Sequence, residues 1–296
     1  MEKEIIPYGG QAVLEGVMMR GPEEMSMSVR DPEGKIVREK YPLRPLRKRY
    51  SVLRLPLLRG VVTLFEALFL GVKTLSRSAN LALGEEEEIK PLEMLFTVLA
   101  GAGLAILLFV IMPAAIIRLL DPLFSTAIGL NLTEGLIKVA ALLIYIGVLN
   151  FVPDTRRFFA YHGAEHKVLH TYENKQKLTV ENVRAHSPRH PRCGTSFIFL
   201  VLLLSVIFFT LIAGRPTFLV RVGTHLALLP LVAGCAYEVL RAAGKPNPNV
   251  IIRILSWPGI LLQHLTTKEP DDEQIEVAIN ALEGLVGEQS VKEVTT

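Results

Sequence analysis

The chain has 296 residues, 50% of them hydrophobic, with 32 Lys and Arg against 29 Asp and Glu and a formal net charge of +3. A mean hydropathy of +0.37 beside a charged fraction of 21% implies segregation into apolar blocks for lipid and charged blocks for water. The small net charge gives no argument for a nucleic-acid partner, and two cysteines in unlike surroundings, Cys193 and Cys235, argue against a disulfide framework.

The opening MEKEIIPYGG has no apolar run behind its charges, so no cleavable signal peptide is expected. GGQAVLEGVMMRGP (9–22) is punctuated by Gly9, Gly10, Gly16 and Gly21, which permit close backbone approach, and carries Glu15 and Arg20 as its polar candidates. SMSVRDPEGKIVREKY (26–41) predicts two short strands around the turn Asp31-Pro32-Glu33-Gly34. LRLPLLRGVVTLFEALFLGVKTL (53–75) is interrupted by Arg59, Glu66 and Lys73 and suits a helix lying in the membrane interface or half inserted. GEEEE (84–88) reads as a solvated linker.

Four spans follow. Met94–Ile117 runs 24 residues without a charge, more than the roughly 20 that a bilayer core requires. A second begins near Leu136 and ends at Val152, with Lys138 snorkelling outward. Thr195–Gly214 is the third, and Val222–Leu240 the fourth, carrying His225 and Glu238. His225 is expected at the interface on the far side, and Glu238 in a pair with Arg241 three residues on, or else as a partner of a histidine site. VIIRILSWPGILLQHLTT (250–267) is broken by Trp257-Pro258-Gly259, where an aromatic anchor and a kink suit the headgroup level. This segment and 53–75 fit equally well as buried helices of a cytoplasmic domain, and as spans they would raise the crossings to six. KEPDDEQIEVAINAL (268–282) predicts a capped helix with Ile275, Ala278, Ile279 and Leu282 on one face.

The segment 153–194 holds eight Lys or Arg, against one in 118–133 and two in 214–221. By the positive-inside rule it is cytoplasmic, as are both termini. The expected fold is mainly α: a polytopic helical membrane protein of about four spans plus one or two interfacial or re-entrant helices, with a small N-terminal cytoplasmic β-hairpin region. Its expected divisions are a β-rich region 1–50, an interfacial helix and acidic linker 51–90, a first transmembrane pair 91–152, a His-rich loop 153–194, a second pair 195–241 and a cytoplasmic or interfacial region 242–296.

Five of the seven histidines fall in 153–194. In YHGAEHKVLHTYE (161–173) His162, His166 and His170 recur every four residues, one stripe of a helix. His162-Gly163-Ala164-Glu165-His166 matches H-x-x-E-H, in which two histidines bind zinc and the glutamate is general base. In AHSPRHPRCGTSF (185–197) His186, His190 and Cys193 stand at the mouth of the third span. A transition metal, expected to be zinc, held by His162, His166, His190 and Cys193 with Glu165 catalytic, would tie two spans together. The alternative is a basic patch in which these histidines join Arg156, Arg157, Lys167 and Arg189 against lipid headgroups.

GGQAVLEGVMMRGP, YHGAEHKVLHTYE, HPRCGTSFIF (190–199) and TTKEPDDEQIEVAINAL (266–282) together resemble the YqhQ-like family of bacterial multi-pass membrane proteins, a domain of unknown function labelled a predicted metal-dependent enzyme. The resemblance covers the whole chain and implies a place in the bacterial inner membrane. It points to Glu15, Met18, Met19 and Arg20, to His162, Glu165 and His166, and to His190, Arg192 and Cys193. Two functions stand: a cytoplasm-facing metal-dependent hydrolase acting on a peptide or lipid-linked substrate at the bilayer surface, and a non-enzymatic scaffold or assembly factor stapled by a closed metal site. A transporter is a weaker third, and the sequence sets neither the oligomeric state nor the substrate.

Overall fold

The computed structural model describes residues 8–84, 90–211, 214–245 and 247–287. The first seven residues, the acidic linker after Gly84 and the end of the C-terminal region lie outside them.

The N-terminal region is an antiparallel meander of β1 (Gly9–Val13), β2 (Gly16–Arg20), β3 (Glu24–Arg30) and β4 (Ile36–Pro42) in the order β1-β2-β3-β4. The β3–β4 hairpin closes at the expected turn, where Lys35 N donates to Asp31 Oδ1 (2.8 Å) and Gly34 takes a φ of +83°. The β1–β2 hairpin was not expected from the sequence: its two-residue turn is Leu14-Glu15, which lacks the usual turn residues, and Glu15 is driven to a φ of 50°. Gly16 is required there, because a Cβ would stand 2.2 Å from the Ser28 carbonyl oxygen.

Strand alternation sends Val13, Met18, Met25, Met27 and Val29 to one face and Ala12, Val17 and Met19 to the other. After a short α1 (Leu46–Arg49), the long α2 (Leu58–Leu83) covers the first face with Leu70, Leu81 and Ala82 and docks its first turns on the fourth span through Gly60 and Arg59. Its outer side leaves Phe65, Leu68 and Phe69 exposed, an apolar stripe compatible with an interfacial helix.

α3 (Pro91–Ile106) runs through a π turn (Leu107–Ile111) into α4 (Met112–Leu120). The π turn precedes Pro113, which cannot donate to the carbonyl four residues back. There follow α5 (Ala127–Leu149), α6 (Pro153–Glu173), α7 (Val180–Arg184), α8 (Gly194–Leu211), α9 (Phe218–Ala243), α10 (Val250–Thr266) and α11 (Asp272–Val286). Among the described residues four helices are long and apolar enough to cross a membrane: Leu92–Leu123, Ala127–Leu149, Gly194–Leu211 and Phe218–Ala243. α8 packs against α5, α9 and α10. The second span differs from expectation by starting well before Leu136 and enclosing Lys138, which does not snorkel. It is 3% exposed, paired to Glu134 at 2.8 Å one turn earlier. α10 is unbroken at Trp257-Pro258-Gly259, since the carbonyl that Pro258 frees belongs to Ile254 on an exposed side.

α11 is capped by Asp271 and Gln274 reciprocally and buries Ile275, Ala278, Ile279 and Leu282, as its periodicity predicts. With α6 it covers the second face of the sheet. The sheet is thus clamped between α2 and the α6–α11 pair, and α6 runs on directly from the second span.

Candidate functional site

Pro153 at the first position of α6, with no proline after it, lets the helix run through Glu173 despite Gly163, so the histidines recur on one side. That side meets the 185–194 segment and the end of α10. Gly163 makes this approach possible: a Cβ there would stand 2.0 Å from the Lys268 carbonyl oxygen. The segment after α10 lies so close that Lys268 N bonds Phe159 O (2.9 Å), and Thr266 O comes within 2.8 Å of His162 Nδ1.

A carbonyl only accepts, so His162 Nδ1 carries the hydrogen and Nε2 presents a lone pair, 3.1 Å from Cys193 Sγ. His166 is held the same way, its Nδ1 donating to Pro188 O at 2.7 Å. The two rings stand edge to face with centroids 4.4 Å apart. Donor atoms of His162, His166 and Cys193 all lie within 4.8 Å of one another. Donors around a tetrahedral zinc stand about 3.4–3.7 Å apart, and imidazole ligands need their second nitrogen anchored, so these three residues offer donors of the kinds and closeness that could hold such an ion.

The electrostatics suit the same forms. Burial lowers the pKa of His166, against the upward pull of Cys193. Burial opposes ionisation of Cys193, but the hydrogen bond and charge of His166 and the bonds from Thr195, whose Oγ1 is 3.0 Å away, outweigh it and lower the thiol pKa. Glu165 is fully enclosed, and burial pushes its carboxyl up to about 8, the Cys193 charge adding to this while His162 and the Gly10 N–H oppose it. Gly10 is packed against that carboxyl: a Cβ on it would stand 2.8 Å from Glu165 Cδ.

His190 belongs to a different group. Its donor atoms cluster with those of His170 and Glu173, not with the first three residues. Its Nε2 is 3.2 Å from Glu173 Oε2, and Arg192 N donates to its Nδ1 at 3.3 Å, so both ring nitrogens are engaged. His170 Nε2 donates to Arg189 O (2.7 Å), and Arg192 pairs with Glu173. His186 stands outside, 2.6 Å from Gln176 Oε1 and stacked on His170.

The other sequence candidates are dispersed. Glu15 accepts from Arg157 Nη2 at 2.6 Å and from Tyr161 at 3.3 Å, pinning the β1–β2 turn to α6. Arg20 pairs with Glu66 at 3.6 Å. Met18 and Met19 are core residues on opposite faces of the sheet. Glu238 is bidentate to Arg59 (2.6 Å for one arm), so its direct partner is on α2 rather than Arg241 or the histidines. His225 is buried, not interfacial, with Nε2 2.8 Å from Glu134.

Sequence reasoning missed Gln263, Thr266 and Glu173 as parts of the site. Gln263 is fully buried and reads the backbone of His190 in both directions, accepting from its N–H and donating to its carbonyl, each at 2.8 Å. A lone glutamine in an apolar helix is the one signal that could have exposed it.

A family described as "Protein of unknown function (DUF1385)" matches residues 55–288. "Uncharacterized protein YqhQ" of Bacillus subtilis (strain 168) is 37% identical over 309 residues, covering 99% of this chain and 97% of that protein. No solved structure matches the chain. With the family profile and a full-length relative in agreement, the chain belongs to the DUF1385 family, the YqhQ-like proteins of unknown function.

Proposed function

We propose that this is a multi-pass protein of the bacterial cell membrane with a zinc-type metal site on its cytoplasmic side, held by His162, His166 and Cys193, and that it acts as a metal-dependent hydrolase on a peptide or lipid-linked substrate at the membrane surface. The observation that carries it is the tautomer arrangement: two backbone carbonyls fix the hydrogens on Nδ1 of both histidines and leave two Nε2 lone pairs converging beside the Cys193 thiol, whose pKa lies below its ordinary value. Three protein donors, rather than four, are the pattern of catalytic zinc, whereas a closed scaffold site would want His190 as well. Bound zinc would supply Lewis acidity and lower the pKa of water. Glu165, buried between Gly10 and the donors, holds and passes a proton beside them.

Full-length protein purified in detergent without a histidine tag should contain near-stoichiometric zinc by elemental analysis. His162→Ala and Cys193→Ala should lose it, and His190→Ala should keep most of it. Glu165→Gln should keep the metal and lower kcat at least ~100-fold in any hydrolysis the wild type supports. A metal-free, well-folded wild type would overturn the reading in favour of the basic patch, and loss of metal in His190→Ala alongside the other two would favour the closed scaffold.

A further inference from the structure

A second polar constellation lies inside the helical bundle, away from the histidine site. Asn131, Glu134 and Lys138 of α5 and Arg221 and His225 of α9 are each at most 6% exposed. Arg221 Nη1 bonds Asn131 Oδ1 (3.0 Å) and Glu134, while Lys138 Nζ and His225 Nε2 each stand 2.8 Å from Glu134 Oε1. His225 Nδ1 lies 2.8 Å from the Arg221 carbonyl oxygen and therefore carries a hydrogen. Lys138 and Arg221 are two buried cations sharing the one carboxylate of Glu134, and among the described residues no second carboxylate pairs with either. Buried cations in excess of anions are costly until an anion joins them.

The surrounding space has the shape for one. Cavities of about 410 Å³ and about 390 Å³ converge on Arg215 and Arg221, the first reaching Arg118 and the second reaching Thr224 and His225. Arg221 keeps its Nε and Nη2 without a hydrogen-bond partner among the described residues. Arg215, which also pairs with Asp121 at 3.4 Å, stands at the rim. On the other side of His225 and Phe209, whose rings stack at 3.7 Å, a third cavity of about 350 Å³ is walled by Phe109, Val201, Leu202 and Leu229. These volumes fall within the ~300–1,000 Å³ of small-ligand pockets.

We propose that this constellation is a binding site for an anionic lipid, its phosphate headgroup on Arg221 and Arg215 and its hydrocarbon chain in the apolar cavity beyond Phe209. The proposal rests on the membrane reading of α5, α8 and α9 but not on the metal.

The full chain in a neutral detergent would be titrated with oleoyl lysophosphatidate, with monoolein, which has the same chain and no charge, and with inorganic phosphate. At a hundredfold excess over its dissociation constant, lysophosphatidate should raise the unfolding midpoint by at least ~5 °C, and the other two at the same concentration should not. Arg221→Gln and Arg215→Gln should each remove at least half of the shift. Should Arg221→Gln fail to fold, the rim variant Arg215→Gln decides alone. An equal shift with monoolein, an equal shift with phosphate, or a full shift in Arg215→Gln would overturn the proposal. Zinc content of the same preparations, and partition of the wild type into the membrane fraction, report on the metal and membrane readings separately.

Discussion

At the residue scale the histidine site depends on one hydrogen atom at position 163. The Lys268 carbonyl oxygen occupies the place of a Cβ, and two residues earlier Thr266 O fixes the tautomer of His162. Gly163→Ala must push that segment away from α6. Overpacking of this kind costs ~1–3 kcal/mol, so the variant should unfold at a lower temperature in detergent and bind zinc more weakly, with the His162 anchor loosened. A variant with wild-type stability and metal content would show that the segment is not held there. The spacing of His162, Glu165 and His166 was legible in the sequence because residues four apart share a helix face. The anchors were not legible, because backbone carbonyls of Pro188 and Thr266 have no sequence signature. His190 was misplaced for a related reason. Proximity in the chain to Cys193 suggests a shared ion, but in the fold the two point to different groups, and Glu173, an unremarked residue at the helix end, takes His190.

At the scale of elements, α2 is fastened to the outer strand of the sheet by Arg77 and Glu39, with Nε–Oε2 at 3.1 Å. The Arg77 hydrogen bond holds the Glu39 carboxyl below its ordinary pKa, against the upward push of burial. A carboxyl lowered in the folded state stabilises the fold above its unfolded pKa, and that stability is lost as pH falls below about 4.5 through the folded value. Both side chains are partly exposed, so the pair contributes no more than ~1 kcal/mol. Glu39→Gln should therefore unfold slightly below the wild type at pH 7, with the gap closing as pH drops from 5 to 3.5, read by thermal unfolding in detergent. A gap that widens on acidification would contradict the pairing. The hairpin that carries Glu39 was legible from Asp31-Pro32-Glu33-Gly34. The β1–β2 hairpin was not, since Leu14-Glu15 gives no turn signal and Glu15 is held in place by Arg157 on a distant helix. The start of α5 was misread because Glu134 and Lys138 look like a water-facing boundary in sequence, and only α9 supplies the Arg221 and His225 that bury them.

At the scale of the whole molecule the two ends of the helical bundle differ in what they hold. At one, α6, the 185–194 segment, the end of α10 and the sheet enclose the histidines. At the other, the last turn of α4 and the α4–α5 and α8–α9 connections carry Arg118, Asp121 and Arg215 at the mouths of two cavities. With four apolar helices among the described residues, the eight basic residues of 153–194 predict, by the positive-inside rule, that the first end faces the cytoplasm. That orientation can be read directly with a membrane-impermeant maleimide on cells expressing the Cys235→Ala chain, in which the remaining Cys193 is buried. A cysteine placed at Ser125, exposed between α4 and α5, should be labelled in intact cells, and one placed at Lys177, exposed after α6, only after lysis. The reverse pattern would invert the topology and move the histidine site outside the cell. Labelling of both before lysis would mean that these helices do not separate two compartments, and the apolar faces of α2, α3 and α10 would then need a protein partner rather than lipid to cover them.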